Sequence, residues 1–460
     1  MPGTDQPRSP RLADSVRASA RCVQAVLAGQ SLTACLADLP RAQRPSAQAI
    51  SAHVMRKLGF ARGACALLAR RTLPHPRLEA LLLVGISLLE TALAQADEPP
   101  SAQAAQRRGQ PRGEPIYAVH TIVNECVQAT RGQLVAFRGL VNAILRNYVR
   151  RRDTLREQLA RDPVAVWNYP QWWIDALFSA YPDTAGRILA AGNRPPPMVL
   201  RVNRRRAGVA QVLQAFAQAG VAARPLQGQA VVVDQPRAVH ELPGFAEGLW
   251  SVQDSAAQCA AALLPLRDGM RVLDACAAPG GKTAHLLETA DIALLALDSD
   301  AARLARIEEN LTRLGLDGPA VHLRCADARD VPSWWDGRSF DAILADVPCT
   351  GSGVVRRHPD IRWLRRPDDI ARTAALQAEI LDSTWSTLRP GGHLLLATCS
   401  VFPEEGEHQA TAFVRRHADA QRLPAPGQML PLQTSDDEVV GDGFFYALFV
   451  RTGQANRDTD

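Results

Sequence analysis

Lysine is nearly missing from this chain: only Lys57 and Lys282 stand among 52 basic residues. Arginine carries the rest, so a retained lysine points to a place that needs a compact ammonium rather than a planar guanidinium. Lys282 falls in a glycine-rich loop; nothing in the sequence accounts for Lys57. CxxC pairs are also missing. Nine cysteines are scattered without one, which argues against a disulfide framework and against a zinc site. Cys22, Cys35, Cys65 and Cys126 sit in Ala/Leu/Val-rich helical patterns and read as small buried hydrophobes. No uninterrupted apolar run reaches the ~18 residues that would cross a bilayer. The longest stretch, Leu78 to Leu93, is broken by Glu79 and Glu90. Met1 to Ala20 carries arginine and aspartate but no apolar segment, so no signal peptide is expected. Together these absences predict a cytoplasmic protein with no membrane and no metal partner.

What is present is a chain of 460 residues, 47% apolar, enough for two or three domains. Its net charge of +5 is unevenly spread. Residues 1–250 hold 31 basic against 17 acidic side chains, or +14, and residues 251–460 hold 21 against 30, or −9. A basic front half on an acidic back half suggests a polyanion held by the front.

Apolar positions recur at helical spacing in Val16, Ala20, Val23 and Leu27, and again in Leu78, Leu82, Ile86, Leu89 and Leu93. Residues 12–155 therefore read as all-helical, interrupted by an irregular Pro/Gln/Gly/Arg-rich loop from Ala94 to Pro115. Residues 156–250 read as a small α+β module, with strands at Met198–Val202 and Ala230–Val233 around a helix at Val209–Ala219. From 251 to 453 strands and helices alternate. The strands are expected at Arg271–Ala275, Ala293–Leu297, Val321–Arg324, Phe340–Ala345 and His393–Ala397. Such alternation predicts a mostly parallel sheet covered on both faces, with Phe444–Val450 adding an antiparallel edge hairpin. No internal repeat is visible.

Two familiar phosphate loops are absent. The segment Arg271-Val-Leu-Asp-Ala-Cys-Ala-Ala-Pro-Gly-Gly-Lys-Thr283 is not GxGxxG, and Cys276 stands where a P-loop needs its first glycine. The segment still runs strand, small-residue loop, helix start, which lets a ligand approach backbone and helix N-terminus closely. A nucleotide held through its ribose fits best. Asp298 lies 24 residues after Asp274, at the end of the next strand, where an acid accepts ribose hydroxyls. Asp327 follows the third strand, within reach of an adenine amino group. A lone aspartate at such a place also serves as a helix cap or turn residue; successive strand ends favour the ligand.

Two further segments complete the pattern. Phe340-Asp-Ala-Ile-Leu-Ala-Asp-Val-Pro-Cys-Thr-Gly351 holds a Pro-Cys pair, and Leu394-Leu-Leu-Ala-Thr-Cys-Ser-Val-Phe-Pro-Glu-Glu405 holds a Thr-Cys-Ser. With Cys276–Thr283 and Arg356-Arg-His-Pro-Asp-Ile-Arg-Trp363, they closely resemble the bacterial Sun-type 16S ribosomal RNA cytosine-C5 methyltransferases. Arg201-Val-Asn203, Ser251-Val-Gln-Asp254 and Gly441-Asp-Gly-Phe-Phe445 extend the resemblance over nearly the whole chain. It implies a NusB-like helical RNA-binding domain at 12–155, an RNA-positioning α+β module at 156–250 and a Rossmann-like methyltransferase domain at 251–453. It implies S-adenosyl-L-methionine as methyl donor, held by Cys276, Ala277, Ala278, Pro279, Gly280, Gly281, Lys282, Asp298, Asp327 and Asp346.

The chemistry explains why two cysteines are wanted. Cytosine C5 is a poor nucleophile, and adding a thiolate to C6 makes C5 enamine-like. By resemblance Cys399 is the attacking thiol, Cys349 assists product release, and Asp346 holds the base edge near N3/N4. Lys282 would keep the local potential positive, which favours a thiolate. Both cysteines stand at carboxyl ends of expected strands, where open α/β sheets place their sites; buried packing is the alternative. Cys276 reads as a backbone contributor and Cys325 as packing. Val347 departs from the alanine frequent in the family and leaves the catalytic residues in place.

The implied substrate is 16S rRNA, naked or in early small-subunit particles, methylated at cytosine 967 in the usual RNA numbering by a monomer. Arg146–Arg152, Arg201–Arg206 and Arg356–Arg366 are expected on phosphates, and Trp363 on a base. Trp172 and Trp173 read as core first and as a stacking pair second. A tRNA cytosine methyltransferase is the runner-up, disfavoured by the NusB-like front. A DNA enzyme would not need Thr-Cys-Ser, and a non-catalytic assembly factor would not need both cysteines.

Overall fold

A computed structural model describes residues 11–69, 71–97, 115–432 and 441–453. The chain divides into two compact units, 1–195 with 355–365 and 196–354 with 366–460. Of the residues expected to form the module at 156–250, the helices up to Gly192 lie in the first unit and the strands in the second. Most of the irregular stretch from Ala94 to Pro115 lies outside the described residues.

The first unit is helical, with α1 (Leu12–Leu27), α2 (Leu32–Ala37), α3 (Arg44–Leu68), α4 (Pro76–Ala96), α5 (Val119–Gln128), α6 (Arg138–Leu159), α7 (Pro163–Trp167), α8 (Gln171–Ala180) and α9 (Ala185–Gly192). Helix α4 is long and apolar enough to cross a membrane by composition, and here it is largely buried within the helical unit. Glu90, which interrupts its apolar run, is the reason a charge is tolerated there. Its carboxylate accepts from Arg152 Nε at 3.1 Å, from Arg156 Nε at 2.8 Å and from the Tyr148 hydroxyl, all on α6. A buried charge survives only when paired and hydrogen-bonded in this way.

The segment 355–365 belongs to the same unit. Arg362 is fully buried, with its guanidinium 3.9 Å above the Tyr169 ring and a hydrogen bond of 2.6 Å to the Gly192 carbonyl. Trp363 donates through Nε1 to the Met55 carbonyl at 2.8 Å and packs on the helical core. Asp360 accepts from the Leu32 amide at 2.9 Å. These contacts correct the expectation that this run binds phosphate: Arg356 and Arg362 are buried, and Trp363 is engaged in packing. Arg152 is likewise buried, whereas Arg146, Arg150 and Arg151 are exposed on α6. Trp173 is core, as the first reading had it.

The second unit holds two sheets. The smaller is antiparallel, ordered β2-β3-β1-β4, from β1 (Met198–Val202), β2 (Ala223–Pro225), β3 (Ala230–Val233) and β4 (Trp250–Val252), with α10 (Val209–Gln218) bringing Phe216 against Trp250. Arg201 on β1 is fully buried, not free for RNA. It pairs with Glu288 at 2.7 Å and donates to the Gly281 carbonyl at 2.7 Å.

The larger sheet has seven strands in the order β10-β11-β9-β8-β5-β6-β7. Strands β5 (Arg271–Asp274), β6 (Ala293–Asp298), β7 (Val321–Cys325), β8 (Phe340–Asp346) and β9 (Leu388–Thr398) are parallel. Strands β11 (Phe444–Arg451) and β10 (Ala420–Met429) are antiparallel. This is the expected α/β domain. Strand β11 pairs on both sides, and the edge is β10, whose Pro424, Pro426 and bulge before Gly427 hide it from a strand reading. Helix α11 (Gly281–Thr289) follows β5. Helix α12 (Ala301–Leu314) follows β6, opened by Asp300, which accepts from the Ala302 and Arg303 amides, and closed by Gly315 at φ +68°. Helix α13 (Asp368–Trp385) leads to β9, and α14 (Glu407–Arg416) follows it.

Candidate active site

The sheet order reverses at β5. The chain goes one way through β6 and β7 and the other through β8 and β9. Carboxyl ends of strands at such a reversal leave a crevice between diverging loops. Asp274, loop 276–282, Asp298, Asp346, Cys349 and Cys399 lie on or just beyond those ends.

The loop 275–280 turns from β5 into α11. Gly280 sits at φ +92°, and a Cβ there would come within 3.0 Å of Ile307, so only glycine lets the loop pack against α12. Asp298 closes the turn from the next strand: its Oδ2 accepts from the Ala278 amide at 3.1 Å and its Oδ1 from the Asp300 amide at 3.0 Å. Arg303 donates to the Ala278 carbonyl at 2.9 Å. Behind the loop, Asp274 is fully buried, with Oδ2 taking the Thr283 hydroxyl at 2.7 Å. Burial first, then the Asp346 charge, pushes its pKa up to about 7 against the Thr283 hydrogen bond. Its Oδ1 has no partner among the described residues. A small-residue loop, a helix N-terminus and an unfilled buried acceptor suit a polar cofactor with donors of its own.

Lys282, on the first turn of α11, reaches Asp346 Oδ2 at 2.6 Å and lies 5.1 Å over the Phe444 ring. Burial opposes its ammonium, and the Asp346 carboxylate outweighs that, so its pKa stands above the ordinary value. This pair accounts for the lysine that the sequence retained. Cys276 is held as a thiol by burial, then by Asp274 and Asp346, in keeping with a backbone role. Asp327 is half-exposed and gripped by Arg329, with Nη2 to Oδ2 at 2.7 Å, which holds its carboxyl below the ordinary range. Cys325 is exposed, contrary to the expectation of packing, because β7 is the bare edge of the sheet.

Cys349 and Cys399 come from the ends of neighbouring strands β8 and β9, and their sulfurs stand 3.3 Å apart. The hydrogen bond with Cys399, and then burial, raises the Cys349 pKa well above its ordinary value. Two thiols this close can address adjacent atoms of one planar ring, one adding while the other still carries its proton. Sequence reading missed Asp274, used only as a spacing mark, and Glu405, quoted in its segment without a role. Both are acids beside turns, and only burial, invisible in a single sequence, separates them from turn residues.

Strand-end crevice, glycine-rich turn and mostly parallel sheet together define a Rossmann-like domain. The family described as 16S rRNA methyltransferase RsmB/F matches residues 261–450, and a ferredoxin-like domain of RsmF/B-like methyltransferases matches 169–240. The chain is 44% identical over 333 residues to Ribosomal RNA small subunit methyltransferase B of Vibrio cholerae serotype O1, covering 72% of this chain and 76% of that one. It is 45% identical over 334 residues to the protein of that name in Pseudomonas syringae pv. tomato, covering 70% and 74%. A solved methyltransferase homolog from Pyrococcus horikoshii superposes with a TM-score of 0.55 at 28% identity, over 63% of this chain and 98% of that one. This chain belongs to the RsmB/F methyltransferase family.

Proposed function

We propose that this protein transfers a methyl group from S-adenosyl-L-methionine to C5 of one cytosine in 16S rRNA, cytosine 967 by family resemblance, through a covalent bond between Cys399 and base C6. The observation that carries this reading is the 3.3 Å approach of the Cys349 and Cys399 sulfurs at two adjacent strand ends. The match to the 16S rRNA methyltransferase family supports the substrate class.

The loop 276–282, with Asp298 and Asp327 beyond it, would hold the methyl donor. When bound, that donor supplies an electrophilic methyl group. The Cys399 thiolate adds to C6, and the C6 bond electrons move so that C5 becomes nucleophilic. Asp346 hydrogen-bonds the base edge near N3/N4, and Lys282 steers Asp346 through their 2.6 Å pair. After methylation water takes the C5 proton, the C–H electrons re-form the C5–C6 double bond and Cys399 departs with the C–S electrons as a thiolate. Cys349, kept protonated at rest, assists that departure. The base must reach this pocket unstacked. The helical unit is proposed to hold RNA phosphates through Arg146, Arg150 and Arg151, and the smaller sheet's exposed Arg204 adds to this. The protein is proposed to act as a monomer, on naked RNA or early small-subunit particles.

The test is methyl transfer from labelled S-adenosyl-L-methionine to 16S rRNA and to small-subunit particles, with the product nucleoside identified. 5-Methylcytidine at a single position is expected. Label in another nucleoside, in tRNA alone, or nowhere would refute the reading.

A further inference from the structure

Glu405 lies in the turn between β9 and α14 and is fully buried. Its Oε1 accepts from the Thr350 amide at 2.8 Å and the Thr373 hydroxyl at 2.6 Å. Its Oε2 accepts from the Thr350 hydroxyl at 2.5 Å and the Ser400 hydroxyl at 2.6 Å. Thr350 and Ser400 are the residues directly after Cys349 and Cys399. Around this carboxylate, the Gly353 amide donates to the Cys399 carbonyl at 2.9 Å. The Ser352 and Ser400 hydroxyls meet at 2.8 Å, and Gln377 donates to the Pro348 carbonyl at 2.8 Å.

Packing alone does not explain this choice of side chain. A carboxylate offers about four acceptor sites and no donor, which suits these four short bonds and a longer one of 3.4 Å from Gln377 Nε2. A glutamine would turn N–H groups toward hydroxyls that now donate, and an alanine would leave the buried donors unpaired. The Glu405 charge is also one of the influences that raise Cys349, after the Cys399 hydrogen bond and burial.

We infer that Glu405 is a positioning residue: by gripping Thr350 and Ser400 it fixes the separation of the Cys349 and Cys399 sulfurs so that both reach one base. The use of that separation rests on the function proposed above. The separation itself can be read without RNA.

The experiment compares the full-length protein with Glu405→Gln and with Glu404→Gln, whose side chain is exposed. Diamide takes two electrons and two protons from the two thiols, forming the Cys349–Cys399 disulfide and the corresponding hydrazine. Peptide mapping follows closure at this pair against the other cysteines. With Glu405→Gln, closure is expected to slow about tenfold or more and kcat to fall about 10- to 100-fold, with KM for RNA and cofactor affinity within about threefold, because ångström-scale misplacement acts on the chemical step. Glu404→Gln should match the wild type throughout. Unchanged closure would overturn the inference, and so would a loss of activity that merely tracks lost cofactor binding. Slowed closure in a protein whose wild type methylates no cytosine would support the positioning and refute the proposed reaction. Should Glu405→Gln not fold, Thr350→Val removes the bond from the Thr350 hydroxyl to Glu405. It is expected to slow closure about fivefold, and wild-type closure in that variant would overturn the inference.

Discussion

The molecule holds two cysteine pairs at nearly the same separation. Cys22 and Cys35, from α1 and α2, have sulfurs 3.1 Å apart and are both buried in the helical core. Cys349 and Cys399 stand 3.3 Å apart on strand-end loops and remain partly open to solvent. Burial first, then the Cys35 hydrogen bond, raises the Cys22 pKa, and a substrate has no way in. At the strand ends the Lys282–Asp346 pair stands close enough for Lys282 to feel the Cys399 charge. Sulfur proximity is common to both pairs; access and a partly buried lysine–aspartate pair alongside are not. What makes a cysteine pair chemical is what surrounds it.

That contrast breaks most sharply on the cysteines themselves. If Cys399 is the nucleophile as proposed, Cys399→Ser is expected to lower methyl transfer about a thousandfold or more. The double change Cys22→Ala with Cys35→Ala should leave kcat within about twofold and cost about 1–3 kcal/mol of stability by denaturant titration. A large kcat loss in the helical double variant would erase the distinction. Next, Lys282→Met leaves Asp346 without its counter-charge, and kcat should drop about 100-fold while the fold survives. Steady-state kinetics alongside circular dichroism would separate the two effects.

The helical unit should answer in stability instead. Glu90→Ala takes the shared acceptor from Tyr148, Arg152 and Arg156 and leaves the buried Arg152 to Asp97, and breaking a buried pair costs about 3–5 kcal/mol. The folded fraction should keep its kcat within about twofold. Per pH unit, acid makes a smaller contribution. Burial, followed by nearby positive charge, lowers His53 and His285 each to about 3. Their unfolded value of about 6.5 is higher, so between these values the unfolded chain binds more protons. Stability is therefore full above about 6.5 and falls as pH drops, by about 1.4 kcal/mol per pH unit for each histidine. Both act in the same window, so His53→Gln and His285→Gln should each flatten the acid limb measured by thermal unfolding.

Much of this was legible in sequence. The strands of the parallel sheet are short apolar runs bounded by turn residues, and Met198–Val202 and Ala230–Val233 stand where periodicity put them. Loop 276–282, Asp298, Asp346 and the two cysteines all fall at strand ends because strand boundaries are local signals. Other features are not local. Arg201 and Arg362 read as phosphate ligands, since arginine is usually solvated, yet long-range partners bury them both. Glu405 gains its meaning from Thr350, far along the chain, and Asp274 from Thr283 and its own burial. Strand β10 escaped because its prolines suit an edge and spoil a pattern.

The direction of attack is the central claim, and a mutant pair measures it. Cys349→Ala protein mixed with 16S rRNA and S-adenosyl-L-methionine should accumulate a denaturation-resistant protein–RNA adduct through Cys399, seen as a band of retarded mobility. Cys399→Ala should form none. An adduct with Cys399→Ala and none with Cys349→Ala would assign the nucleophile to the other sulfur and contradict the account.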